Sequence, residues 1–350
     1  MTDLAYRQTT SPEPHRERRK RILRAHPEIV KLFGYDTRPV WRMALVPALQ
    51  LAIAAAISAL ATSASAWFTA LVLIAVVWTL GAMLNHYGVV VIHEASHNLC
   101  ARTETQNRGI AIFANLPKVL PYAMTFRRHH LAHHRDMGVV GGDNDLPLAL
   151  ERRAVGNGPL RKLAWLFLFP LFGALCRGFL HRPDRWEVAQ WATQLPLNAL
   201  LVVFLLPPRP PRPMGPRLPR AQHLVQRRPP PHRRPLHPRA LPLWDERQET
   251  YYCPLNALTE NLGYHVEHHD FVAVPGTRLP EPNAIARDFY APLVSHRSWT
   301  AILLCFVTDP RLSHFSRFVR PHRQGTHPHP STCWVDPEDP RELTRLTQLG

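Results

Sequence analysis

The sequence predicts an all-α membrane protein with about four transmembrane helices and a cytosolic cap built from histidines. Three observations carry that reading. A chain of 350 residues that is 45% hydrophobic can hold one sizeable domain. Two stretches, 44–64 and 67–92, carry no charge, and each can cross a hydrocarbon core of about 30 Å, which takes about 20 helical residues. Three histidine clusters stand next to apolar segments: His93-Glu-Ala-Ser-His97, His130-Leu-Ala-His133-His134 and His265-Val-Glu-His268-His269.

Residues 1–43 form a polar, basic segment with Arg16, Arg18, Arg19, Lys20, Arg21 and Arg24 in a tight run. No apolar core of a cleaved signal follows the terminus. The basic run is expected to hold this segment in the cytosol by the positive-inside rule. Only Ser65 and Ala66 separate the two uncharged stretches, so they read as a membrane hairpin that returns the chain to the cytosol at His93. Residues 98–158 are polar to mixed and carry the second cluster. Residues 160–180 are apolar but broken by Arg161, Lys162, Pro170 and Arg177, which suits an interfacial or half-buried helix. A third crossing begins at Trp191–Leu206. From Trp299 to Val307 the chain is apolar but too short to span a bilayer, and 321–350 reads as a disordered tail. The membrane domain is thus expected over 44–320.

The formal net charge of +16 would suit a nucleic acid or an anionic membrane surface, and no nucleic-acid motif supports the first. Cys100, Cys176, Cys253, Cys305 and Cys333 lack CxxC spacing, which indicates neither a disulfide framework nor a zinc ribbon.

The histidines carry the chemistry. Residues three and four apart share a helix face, so HxxxH aims two imidazoles one way and each HxxHH aims three. If the clusters converge, eight ligands surround one cavity: His93, His97, His130, His133, His134, His265, His268 and His269. A single four-coordinate site needs at most four, so the count argues for a pair of metals, whose identity spacing leaves open. His129 is off the ligand face. His15, His26, His181, His296 and His314 read as ordinary surface or core residues, and His322, His327 and His329 as adventitious at most. Glu94, Glu267 and Asp270 are candidates to orient ligand imidazoles, while Asp143 and Asp145 suit supporting and surface contacts. His93-Glu94-Ala95-Ser96-His97 is also a literal HExxH, which raises a membrane zinc metalloprotease as a second reading; that reading leaves both HxxHH clusters without a role.

HEASHN at 93–98, FRRHHLAHHRDMG at 126–138 and NLGYHVEHHDF at 261–271, with VPG shortly after, resemble the membrane fatty-acid desaturase superfamily. The sequence is most similar to the sphingolipid Δ4-desaturases, through RRKRILRAHPEIVKLFG at 18–34, GIAIFANLP at 109–117, QETYYCPLN at 248–256 and the stretch 287–320. The resemblance covers roughly 16–321 with one interruption. It implies a di-iron centre held by the eight histidines, O2 as co-substrate, and a dihydroceramide-type lipid as substrate. No haem or flavin domain is visible, so it also implies a separate electron donor such as a cytochrome b-type protein. The expected location is the endoplasmic reticulum in a eukaryote or the cytoplasmic membrane in a bacterium. A hydroxylase outcome on the same scaffold stays open.

The interruption is 207–243, with 13 prolines, nine arginines and no acidic residue. Clusters two and three must share a compartment to share metals, so an even number of crossings should lie between them. Only one is visible, and a proline/arginine tract cannot supply another. Read one base over, codons permitted for Arg234–Leu243 give Gly-His-Phe-Ile-Pro-Glu-His-Tyr-Leu, a GHFxxEHY stretch like that of the sphingolipid desaturases. Codons for Pro219–Pro231 likewise permit LALSTLFSAGLHP. The tract therefore reads as a frame-shifted segment that replaces the fourth crossing. His232 and His237 within it are no replacement ligands.

Overall fold

A computed structural model describes residues 7–139, 142–143, 145–147, 151, 154–178, 183–205, 249–313 and 316–320. The tract 207–243, the tail 321–350, His181 and His314 lie outside the described residues.

Helix α1 spans Pro14–Ala25, opened by Glu13, whose carboxylate accepts from the N–H groups of His15 and Arg16. Proline at the first helical position suits that start, and Pro27 follows two residues after the end. A 3-10 turn over Pro27–Leu32 leads to α2, Arg38–Ser63. Ser65 then accepts from the Phe68 N–H at 3.4 Å and starts α3, Ala66–Ser96, which includes one π-helical turn at Val77–Gly81. Among the described residues, α2 and α3 are the helices long and apolar enough to cross a membrane. Almost none of their most apolar stretches is buried by the protein, and Trp41, Leu45, Leu49, Trp67, Leu71 and Trp78 point outward. A contiguous apolar face of this kind suits lipid rather than water. The expected hairpin is present, with its second helix running on through His93.

Helix α4, Glu104–Asn115, begins with a reciprocal capping box between Thr103 and Gln106. Helix α5, Ala123–Arg135, carries the second cluster. The helix expected near 160–180 is α6, Pro159–Gly178. Lys162 near its start donates to the carbonyls of Phe306 (2.9 Å) and Asp309 (2.7 Å), capping the far end of the helix at Trp299–Thr308. Helix α7, Arg185–Leu205, starts six residues before the expected crossing. The reason is a polar face that looks like a surface in the sequence but is buried. Glu187 accepts from the Thr125 hydroxyl at 2.7 Å, Gln190 from the Met124 N–H at 3.0 Å, and Gln194 from Asn115 at 2.8 Å.

The third cluster lies on the short α8, His265–Asp270, followed by α9, Pro280–Ile285, α10, Arg287–Tyr290, and α11, Trp299–Thr308. At ten residues α11 is too short to span, as its sequence indicated. One small parallel ladder, β1 (Arg7–Gln8) with β4 (Phe318–Val319), ties the N-terminal part to the C-terminal part, and a second pairs β2 (Glu249–Tyr251) with β3 (Val294–His296).

Two apolar cores flank the histidines. One joins Met43 and Val46 of α2, Val91 and Ile92 of α3, Ala111 of α4 and Met124 of α5. The other joins Ile22 of α1 and Ile29 to Val266, Phe271, Val274, Leu279 and Tyr290. The first fixes clusters one and two, and the second fixes cluster three.

Candidate metal centre

The first cluster sits where α3 stops. His93 is on its last turn, and His97 is the first residue past it, its N–H still reaching the His93 carbonyl at 3.3 Å. Asn98 turns the chain with φ +61°, a left-handed conformation that asparagine tolerates better than most residues. The buried Arg127 guanidinium of α5 donates to the carbonyls of Ala95 (2.9 Å) and Ser96 (2.5 Å), so the second cluster's helix caps the first cluster's helix. Both carbonyls belong to the last turn, which lacks intrahelical donors.

On α5, His130, His133 and His134 face inward. His133 Nδ1 pairs with Asp143 Oδ1 at 2.7 Å, while Asp143 also accepts from the Gly138 N–H at 2.7 Å. Asp143 thus supports the site, as its position suggested, and the Asp145 carboxylate stands 3.7 Å from His133 Nε2. On α8, His265, His268 and His269 face the same cavity.

All eight predicted histidines come together, in two groups. His93, His97, His130, His134 and His268 form one, and His133, His265 and His269 the other; within each, the ligand nitrogens lie within 4.8 Å of one another. Nε2 of His97 is 2.8 Å from Nε2 of His130, which is 3.1 Å from Nε2 of His134. Nε2 of His268 is 3.1 Å from that of His134, and Nε2 of His269 is 3.0 Å from that of His265. A neutral imidazole has one N–H and one lone pair. So many Nε2 atoms turned toward each other cannot all be satisfied by hydrogen bonds, and a cation between them would satisfy them together.

Protonation agrees with that donor set. Burial first, and the neighbouring imidazoles second, hold His97, His130, His134, His268 and His269 well below their ordinary values, and bring His265 down to about 3. A neutral imidazole is the form that binds a metal. His133 differs: burial would lower it, but the Asp145 charge and the Asp143 hydrogen bond raise it to about 9.

Three expectations change. Of the carboxylates expected to orient ligand rings, Glu94 does so, with Oε1 3.2 Å from His93 Nδ1. Glu267 instead accepts from the Tyr252 hydroxyl and from Asn283 at 2.6 Å, because its side chain leaves the far side of the one-and-a-half-turn α8. Asp270 reaches back to α1, where it holds His15 Nδ1 at 2.7 Å. His15, read from sequence as an ordinary residue, is buried with its ring 4.8 Å from that of His269. Its only sequence signal is a place beside the family-like RRKRIL stretch. His129 is buried on α5 but belongs to neither group, as its spacing indicated, and His26 and His296 also stand outside them.

The family profile described as sphingolipid Delta4-desaturase (DES) matches residues 6–38, and that described as fatty acid desaturase matches 88–208. The chain is 37% identical over 316 residues to the sphingolipid delta(4)-desaturase DES1-like protein of Oryza sativa, covering 88% of this chain and 90% of that one. It is 35% identical over 323 residues to sphingolipid delta(4)-desaturase DES1 of Drosophila melanogaster, covering 89% and 94%. It is also 35% identical over 324 residues to the human sphingolipid delta(4)-desaturase/C4-monooxygenase DES2, covering 89% and 93%. No solved structure gives a significant match.

Proposed function

Because this chain belongs to the sphingolipid Δ4-desaturase family, we propose that it introduces a double bond into the sphingoid chain of a dihydroceramide-type lipid, using O2 and two iron ions. The observation that carries the proposal is the convergence of eight imidazoles, in groups of five and three, at the end of a membrane-length helix.

In this reading His93, His97, His130, His134 and His268 hold one iron, and His133, His265 and His269 hold the other. The metal pair supplies the oxidising power toward unactivated carbon, which no side chain of this sequence can supply. The protein's own groups orient and enclose. Glu94 steadies the His93 ring and Asp143 the His133 ring, as carboxylates do for metal-bound imidazoles. Arg127 fixes the helix end that presents His97. The apolar flanks of α2 and α3 keep the site at the membrane surface, where a lipid chain can reach it from hydrocarbon.

Electrons come from a separate donor of the cytochrome b type docking on the cytosolic side. The protein resides in the endoplasmic reticulum if eukaryotic, or in the cytoplasmic membrane if bacterial. Residues 44–320 form the desaturase domain, with 1–43 as a basic cytosolic segment and four crossings in the unshifted protein. The fatty acid desaturase profile ends at residue 208, at the edge of the proline/arginine tract, which supports the frame-shift reading.

A C4-hydroxylating outcome is the second reading, favoured by the double name of the human relative. The metalloprotease reading loses support, because the carboxylate of Glu94 is taken up by the Gly276 N–H and His93. The test is lipid mass spectrometry of a host lacking such an enzyme and expressing the frame-restored chain. Δ4-unsaturated sphingoid bases are expected. C4-hydroxylated bases alone would establish the second reading, and neither product would overturn both.

A further inference from the structure

The N-terminal helix packs directly against the third histidine cluster. Asp270, fully buried and next in the chain after His269, holds Nδ1 of His15 at 2.7 Å. Arg18, one turn along α1, clamps the same carboxylate with Nε at 2.7 Å and Nη2 at 2.9 Å. The His15 ring is stacked on that of His269, with centroids 4.8 Å apart and planes inclined by 29°. Ile22 and Ile29 seat this segment against Val266, within the third cluster, and Phe271, just past it.

A buried carboxylate clamped by a two-point guanidinium contact is nearly immobile, since charge-assisted bonds in a dry site are strong and directional. An imidazole bonded to it cannot rotate without leaving that charge short of a partner. We propose that His15 is a positioning residue: locked by Asp270 and Arg18, its ring backs His269 and fixes the direction in which the three-histidine group presents its nitrogens. That group has the fewer ligands, so a free swing of one ring costs it the most. The inference rests on the metal-centre reading above. It gives a segment that precedes both membrane-length helices a role in completing the site.

The test measures iron per chain and melting temperature on the purified, frame-restored full-length protein and three variants of it. The parent is expected to hold close to two irons. His15→Ala is expected to fall to about one, and added imidazole, which fits the hole left beside His269, should restore the second. His15→Asn keeps a donor for Asp270 but no ring, and should stay near one. Ile22→Ala loosens the same helix without touching the polar contacts, and should keep close to two irons despite a lower melting temperature. Retention of two irons by His15→Ala overturns the inference. So does an equal loss in Ile22→Ala, or a loss that imidazole does not repair, since helix docking would then be the whole effect. A parent without an iron pair sinks the metal reading first, and this inference with it.

Discussion

The carboxylate of Glu94 accepts the buried backbone N–H of Gly276 at 2.7 Å, joining the first histidine cluster to the loop that follows the third. The two residues are 182 apart in sequence. A Cβ on Gly276 would stand 3.3 Å from that carboxylate, a tight contact that a larger residue would accommodate only if Glu94 shifted by a few tenths of an ångström. Glu94→Ala strands a buried donor and is expected to cost about 1–3 kcal/mol, while Glu94→Gln keeps an acceptor and should cost less. Thermal unfolding of the purified variants measures both. Equal melting temperatures for Ala and the parent would show that the contact carries no stability.

Unequal ligand numbers in the two groups predict unequal losses. His265→Ala leaves two imidazoles in its group and should retain about one iron per chain. His97→Ala leaves four in its group and should keep more metal, though turnover is lost in both. Elemental analysis beside product assay reads the difference. One stoichiometric zinc in the parent, with peptide hydrolysis that Glu94→Gln abolishes, would return the case to a protease.

Both sides of the hairpin can be labelled. Thr105 at the start of α4 and Asp288 in α10 are exposed residues on the histidine side of the hairpin, and Ser63 is exposed at the tip between α2 and α3. Cysteines placed at 105 and 288 in the frame-restored chain should react from the cytosolic side, and one at 63 from the opposite side. Labelling of 105 and 288 from different sides would end the shared-cavity arrangement.

Asp36 supplies a pH-dependent contribution away from the histidines. Burial pushes its carboxyl up, but hydrogen bonds from the Arg38 guanidinium, the Thr277 hydroxyl (2.6 Å) and the Arg38 N–H (2.9 Å) outweigh that and lower it to about 2. A folded-state value below the ordinary 3.8 means stability that is present above the ordinary value and lost as pH falls toward 2. Allowing for solvent screening of the exposed Arg38, the contribution is about 1 kcal/mol. Asp36→Asn should unfold earlier than the parent at pH 5, and the gap should close between pH 4 and pH 2. A gap that stays constant across that range would exclude the linkage.

The chain as written is expected to make little or no product, and restoring the frame across 207–243 should rescue it. An arginine at the bilayer centre costs about 3 kcal/mol on insertion scales, and this tract has nine where a crossing is needed. Resequencing is the direct check: codons 234–242 should spell GHFIPEHYL one base over. Wobble bases that do not spell it would make the tract a genuine linker.

The sequence by itself determined the features whose physics is local. Helical ligand spacing depends on residues four apart, so all eight histidines were legible. The hairpin was legible because length and lack of charge alone decide whether a helix suits hydrocarbon. Only the tertiary structure decided the division into groups of five and three, because His268 joins His97, His130 and His134 across 134 residues of sequence or more. It also decided the fate of polar residues that look alike in a sequence. Glu187, Gln190 and Gln194 are buried because Thr125, Met124 and Asn115 meet them, which moved the start of α7. His15 is inside because Asp270 waits for it 255 residues on. A buried polar side chain is stable only with its partner in place, and the partner is chosen by packing rather than by spacing.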